Sequence, residues 1–188
     1  MSHEGLGRGL VILDRDGVIN HDSAAFIKNA DEWRPIPGSL EAIAALTQAG
    51  FTLAIASNQS GIARGLFDQD ALDAMHAKML GLVRQAGGHI SRIVICPHGP
   101  DDACDCRKPK PGMLEQLARH FETSLDGVPV IGDALRDLEA AAAVGARPIL
   151  VRSGKGRSTE AGLPERFADV PVYDDLAAAA HALIGEAS

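Results

Sequence analysis

Four short apolar runs in this chain each break off at a residue able to do chemistry. Residues 10–13 stop at Asp14 and residues 52–56 at Ser57. Residues 92–96 run into Cys96 and a cysteine-bearing loop, and residues 128–131 stop at Gly132-Asp133. Runs of this length, bounded by polar and glycine-rich segments, read as buried strands. Helical patterns separate them. Residues 40–49 carry apolar positions at helical spacing and stop at Gly50. Residues 70–85 place Leu72, Met75, Met79, Leu82 and Val83 on one face. Residues 112–121 follow two prolines, and residues 135–144 stop at Gly145. A fifth strand is expected at 149–151, a short sixth at 170–172 and a last helix over 174–184. The Gly- and Ser-rich stretch 153–162 reads as a long surface loop. Strand–helix alternation of this kind predicts an α/β fold of Rossmann-like type, a mostly parallel sheet with helices on both faces. Such sheets bind ligands at the carboxyl ends of their strands, which is where the four reactive positions fall.

The chain has 188 residues, the size of one domain, so 1–188 is read as a single unit. Aromatic residues make up only 4%, so the core must be aliphatic. The formal charge of −7 disfavours a nucleic-acid partner, which rewards a basic surface. A small phosphate ester needs only a few local cations. The start, MSHEG, shows no basic stretch followed by a long apolar one, and no apolar run is long enough for a membrane span. A cytoplasmic monomer acting on a small molecule, with no membrane or nucleic-acid partner, is the expectation.

Asp14-Arg15-Asp16-Gly17-Val18-Ile19-Asn20 sets two carboxylates two residues apart just past a strand. Side chains alternate along extended chain, so Asp14 and Asp16 share a site only if the chain turns, which Gly17 permits. Ser57-Asn58-Gln59-Ser60-Gly61 offers a hydroxyl and amides to phosphate oxygens. Arg107-Lys108-Pro109-Lys110-Pro111-Gly112 puts cations before a helix N-terminus, with Lys108 aimed at phosphate. In Gly132-Asp133-Ala134-Leu135-Arg136-Asp137, Asp133 suits a hard cation, and Asp137 supports it from behind or caps the helix. Arg64 reads as either a pocket residue or surface charge, and Lys155 as surface charge.

Cys96-Pro97-His98, five residues, then Cys104-Asp105-Cys106 places three thiols and an imidazole within eleven residues. This set fits tetrahedral zinc with every position supplied by protein, hence a structural site. A bridge between Cys104 and Cys106 would be strained by their spacing. Zinc across 96–106 would stiffen the loop that leads into Arg107 and Lys108.

In this order DRDGVIN, SNQSG, RKPKPG and GDALRD resemble the four motifs of the haloacid dehalogenase (HAD) phosphatase superfamily. The CPH…CDC loop before RKPKPG resembles its subgroup of heptose-bisphosphate and histidinol-phosphate phosphatases, and the stretches SNQSGIARG and CDCRKPKPGML resemble the heptose branch. The resemblance spans residues 10–184 and implies an essentially capless HAD-like fold. It makes Asp14 the nucleophile and Asp16 the general acid/base, with Ser57 and Lys108 stabilising the transferring phosphoryl group. Magnesium would meet the Asp14 carboxylate, the Asp16 carbonyl and Asp133. Zinc would take Cys96, His98, Cys104 and Cys106. Asp22, Ser23, Asn58, Gln59, Ser60 and Arg107 would border the substrate, a small sugar phosphate. At Asp22-Ser23-Ala24-Ala25-Phe26 the chain departs from the subgroup's usual Asp-His-Gly-Tyr-Val. A histidinol-phosphate substrate and a non-catalytic zinc-stabilised binding module are the alternatives, and a nucleic-acid end phosphatase a third.

Overall fold

The computed structural model describes residues 6–187, so the MSHEG start lies outside the described residues. Six parallel strands form one sheet: β1 (Gly9–Leu13), β2 (Phe51–Asn58), β3 (Arg92–Cys96), β4 (Pro129–Gly132), β5 (Arg147–Val151) and β6 (Val172–Tyr173). Their spatial order is β3-β2-β1-β4-β5-β6. Leu13 pairs in register with both Ile55 of β2 and Ile131 of β4, so β1 is central. The chain winds one way from β1 to β3 and the other way from β4 to β6. The crevice between β1 and β4 is therefore the topological switch point, where such sheets bind ligands.

The alternation of β1 divides the core. Val11 and Leu13 face a cluster built with α1 (Ser39–Gln48), α2 (Gln69–Gln85) and α6 (Leu176–Glu186). Leu10 and Ile12 face the opposite layer, packed by α3 (Gly112–His120) and α4 (Leu135–Ala143). Strands buried on both faces read as continuous apolar runs, which is why they were visible in the sequence. On β2 the residues facing α3 are Ala54 and Ala56, which let that layer approach closely. Asp68 caps α2 by accepting from the Ala71 amide at 2.9 Å, and Asp175 caps α6 through Ala178 at 2.9 Å. Trp33, the one tryptophan, is wholly buried under the long β1–α1 connection. Lys78 of α2 holds that connection by donating to the carbonyls of Ala30 and Trp33 at 2.7 and 2.9 Å.

Two expectations change. The segment 153–162 is not all loop: α5 (Gly156–Ala161) turns back over the end of β5. A Cβ at Gly156 would lie 1.7 Å from the Val151 carbonyl, so only glycine lets the helix start this close to the strand. Its sequence, GRSTEA, has no apolar periodicity to reveal it. The sixth strand sits at Val172–Tyr173 rather than 170–172, and α6 begins at Leu176 because Asp175 is its cap. Among the described residues, no helix is long and apolar enough to cross a membrane.

Candidate active site

At the carboxyl end of the sheet lies a cavity of about 220 Å³. Of the residues expected there, Asp14, Asp16, Asp22, Ser23, Ser57, Asn58, Gln59, Ser60 and Arg107 line it. Lys108, Asp133 and Asp137 lie beneath its floor, all buried. Asp14 follows β1, and its amide donates to the Ile131 carbonyl at 2.9 Å, which pins it to β4. Asp133 follows β4. One carboxylate oxygen each from Asp14, Asp133 and Asp137 lie within 4.8 Å of one another.

Lys108 is the cation among these carboxylates. Its Nζ lies 3.2 Å from Asp14 Oδ1 and 2.6 Å from Asp137 Oδ1, and it donates to the Ala56 carbonyl at 2.8 Å. Burial works against its charge, but Asp137 and Asp14 outweigh burial and hold the ammonium above the ordinary lysine range. Asn58 fixes its backbone: Asn58 Oδ1 accepts from the Lys108 amide and Asn58 Nδ2 donates to the Lys108 carbonyl, each at 3.1 Å. Asn58 thus holds the lysine loop as well as lining the cavity. Asp137 also reaches back to accept from the Ala134 amide at 3.0 Å, so it caps α4 and supports Lys108 together.

One lysine does not neutralise three carboxylates. Burial, only partly offset by Lys108 and with Asp137 adding to it, pushes Asp14 up to about 6. Burial, then Asp14 and Asp137, push Asp133 up to about 7. Asp133 Oδ2 accepts from the Lys155 amide at 2.8 Å, while its Oδ1 is buried with no hydrogen-bond partner. Crowded carboxylates with an orphaned oxygen fit a divalent cation. Two glycines keep room for Asp133. A Cβ at Gly17 would stand 2.0 Å from Asp133 Oδ2, and one at Gly154 2.2 Å from it. Asp16, expected to share the metal through its carbonyl, directs its carboxylate elsewhere. Arg15 Nε and Nη2 donate to its two oxygens at 3.1 Å each, Asn20 Nδ2 at 2.8 Å and Gln59 Nε2 at 2.9 Å. Burial would raise Asp16, but Arg15 and these hydrogen bonds hold it below the usual carboxylate range.

The cavity also takes in residues whose role the motifs left open or unassigned. Arg136, at the start of α4, lines the cavity, and its charge is held by Asp137, Asp14 and Asp133 against the cost of burial. Arg64 lies 5.5 Å over the ring of Phe26, a non-glycine residue at φ +65°, and both form the rim. Lys155, read as surface charge, pairs with Asp22 at 3.0 Å across the cavity wall. Arg136 alone gave a local clue, standing one residue before the end of the GDALRD stretch. The others come together through loops distant in sequence. Ser23 has its hydroxyl engaged by the Ala25 amide at 3.1 Å.

On the far side of Arg107, Cys96, His98, Cys104 and Cys106 gather with ligand atoms within 4.8 Å of one another. Cys96 Sγ lies 3.0 Å from Cys106 Sγ and 3.9 Å from Cys104 Sγ, and His98 Nδ1 lies 3.3 and 3.5 Å from Cys106 and Cys96. A tetrahedral zinc with bonds near 2.0–2.3 Å has edges of roughly 3.5–3.8 Å. The Cys96–His98 and Cys96–Cys104 edges lie near that, the two edges to Cys106 are shorter, and three thiols with one imidazole are a donor set that suits zinc. Arg107 Nη1 donates to the His98 carbonyl at 3.2 Å, tying the loop to the cavity.

The chain matches a HAD-hydrolase-like family model over residues 105–179 and a polynucleotide kinase 3 phosphatase model over 10–141. It is 58% identical over 176 residues to the D-glycero-β-D-manno-heptose-1,7-bisphosphate 7-phosphatase of Pseudomonas putida, covering 93% of this chain and 99% of the relative. The chain belongs to this phosphatase family, within the HAD-like hydrolases. The family's enzyme from Pseudomonas aeruginosa is 57% identical, over 95% of this chain and 99% of its own length. The crystal structure of D,D-heptose 1,7-bisphosphate phosphatase from Bordetella bronchiseptica, complexed with magnesium and phosphate, superposes with a TM-score of 0.91 at 56% identity, covering 95% and 99% of the two chains. The Burkholderia thailandensis enzyme superposes at 0.73 with 45% identity, over 94% and 98%. The HAD-like α/β fold expected from the motifs is the one observed.

Gly154→Ala tests the fit of the carboxylate cluster for a cation. Its Cβ displaces Asp133, so magnesium affinity by calorimetric titration is expected to fall at least ~10-fold, with the fold retained.

Proposed function

We propose that this chain is a phosphatase that removes the 7-phosphate of D-glycero-β-D-manno-heptose 1,7-bisphosphate, through an aspartyl-phosphate on Asp14. The observation that carries this is the buried Asp14–Lys108 pair at the β1–β4 switch point, in a chain 58% identical to an enzyme of that activity. The β anomer is the one in the relatives' name, and the proposed place of the reaction is nucleotide-activated heptose and lipopolysaccharide core synthesis. The work is done in the cytoplasm by a monomer made of one domain.

Asp14 attacks phosphorus in line and the bond to the sugar oxygen breaks, its electron pair leaving with that oxygen. Asp16 gives the leaving alkoxide a proton, then takes one from the water that hydrolyses the aspartyl phosphate. Lys108 and the Ser57 hydroxyl stabilise the phosphoryl oxygens. Gln59 Nε2 donates to Ser57 Oγ at 2.8 Å, which leaves the serine proton free to point at the substrate. Asp14, Asp133 and the Asp16 carbonyl hold magnesium, which when bound offsets the repulsion between anionic nucleophile and anionic phosphate. Asp137 supports this set from behind. Arg107, with Asp22, Ser23, Asn58 and Ser60, meets the rest of the sugar phosphate. Cys96, His98, Cys104 and Cys106 would hold zinc, which would stiffen the loop that carries Arg107.

The match to the polynucleotide kinase 3 phosphatase model favours a second substrate class, a nucleic-acid 3′-phosphate. The charge of −7 and the small, partly acidic cavity weigh against it. Phosphate release from heptose 1,7-bisphosphate, histidinol phosphate and a 3′-phosphorylated oligonucleotide, each with and without magnesium, separates the readings. One phosphate per bisphosphate, only with magnesium, is the expected result. Preference for either other ester would overturn the substrate, and release from none would leave a binding module.

Asp14→Asn should abolish turnover and leave no trappable phosphoenzyme. Asp16→Asn should fold normally and turn over at least ~10²-fold slower. Native mass spectrometry should find one zinc per chain. Cys106→Ser should lose that zinc, lower the melting temperature and weaken substrate binding through Arg107, and an unchanged metal content would rule the assignment out.

A further inference from the structure

We propose that Arg15 is a positioning residue: it fixes the Asp16 carboxylate for both proton transfers, and Gln59 links it to Ser57. The inference rests on the phosphatase reading above. Arg15 immediately follows Asp14 yet has 0% of its surface exposed. Arginine is almost never fully buried unless something pairs it, and here the partner is its neighbour. Nε donates to Asp16 Oδ1 and Nη2 to Asp16 Oδ2, both at 3.1 Å, so the guanidinium lies as a fork across both oxygens. Nη2 also donates to Gln59 Oε1 at 3.1 Å. That contact sets which way the Gln59 amide faces. Its Nε2 then donates both to Asp16 Oδ2 at 2.9 Å and to Ser57 Oγ at 2.8 Å. One buried cation therefore orients Asp16 directly and Ser57 at one remove.

Stability does not explain this choice. A buried ion pair is often matched or bettered by an apolar residue of similar volume. Arg15 Nη1 is moreover buried with no partner, so the cation is not placed for its own satisfaction. A fork fixes the plane of a carboxylate as well as its place, which a point charge such as lysine does not. Proton transfer demands that control. The donor must stand within about 2.6–3.2 Å of the leaving oxygen and later of the attacking water. Asp16 is only partly covered, at 22% side-chain exposure, and borders an open cavity, so without the fork it keeps only the single donors of Asn20 and Gln59, and Gln59 is itself oriented by Arg15.

The leaving group separates positioning of the acid from general damage. In the first step the bond from Asp14 to phosphorus forms and the bond to the leaving oxygen breaks. A sugar alkoxide needs the Asp16 proton there, whereas a nitrophenolate carries its electron pair away unprotonated. The second step, attack of water on the aspartyl phosphate, needs Asp16 with either substrate. Arg15→Met and Arg15→Lys should be mixed rapidly with p-nitrophenyl phosphate and, in parallel, with heptose 1,7-bisphosphate, in the presence of magnesium. With the aryl ester both variants should release about one nitrophenolate per site in a burst, then turn over at least ~10-fold slower than the native enzyme. With the heptose ester there should be no burst and turnover at least ~10²-fold slower, with KM changed less than ~3-fold. Lysine should not rescue, since it restores charge without the fork. Native-like turnover of the heptose ester, or equal loss of burst and turnover on both esters, would overturn the proposal. If the Arg15 variants do not fold, Gln59→Leu carries the same comparison and should show the same split at about one-tenth the size. An equal loss on both esters there would also overturn it. A native enzyme inactive on both esters would instead overturn the phosphatase reading itself.

Discussion

Negative charge packed without water is the constraint around which this site is arranged. Asp14, Asp133 and Asp137 are each buried and bring oxygens within 4.8 Å of one another. At an effective dielectric of ~20, two full charges that far apart repel by roughly 3–4 kcal/mol. Lys108 relieves part of this by touching two of the three, and Arg136 lends a second positive charge nearby. The remainder is visible in the titration of Asp14 and Asp133, both pushed up by burial, Asp14 further by Asp137 and Asp133 by Asp14 and Asp137. A divalent cation removes that penalty, so the same crowding that strains the bare site gives it affinity for metal.

The scaffold is spent on holding these charges still. The β1–β4 switch point puts Asp14 and Asp133 side by side, and the turn after Asp14 packs against Asp133 at Gly17. Lys108 arrives from the other direction, on the loop leading out of the cysteine cluster. Its backbone is gripped on both sides by the Asn58 amide, so β2 sets its depth. The cysteine cluster secures the adjoining residue, Arg107, through the His98 carbonyl. Anchors of this sort matter because a loop placing a catalytic cation must resist the pull of its own solvation.

Much of this was legible in the sequence because it follows from local rules. Buried parallel strands appear as apolar runs, and the chemistry of such sheets sits where those runs stop. Asp14, Ser57, Cys96 and Asp133 were therefore locatable without coordinates. The four-ligand loop was legible from spacing alone. What the sequence hid depends on contacts between distant segments or on unpatterned chain. The helix over Gly156–Ala161 has no apolar stripe, and its identity lies in the approach of Gly156 to β5. Lys155 looked like surface charge because its partner Asp22 is on another loop. Arg15 had no role assigned beside the two aspartates, since nothing local says that a guanidinium there turns inward.

Two aspartates two residues apart are thus treated in opposite ways. Asp14 is desolvated among like charges, which favours its proton, and Asp16 is wrapped in donors, which removes it. The proposed mechanism asks for the reverse at the moment of attack: a charged nucleophile at Asp14 and a protonated acid at Asp16. Each missing influence is supplied by a reactant. Positive charge at the cluster pulls Asp14 back to its ionised form. The dianionic phosphate, arriving beside Asp16, adds repulsion that favours a proton there. Cation and substrate therefore each push this pair towards the charge pattern that the proposed attack uses.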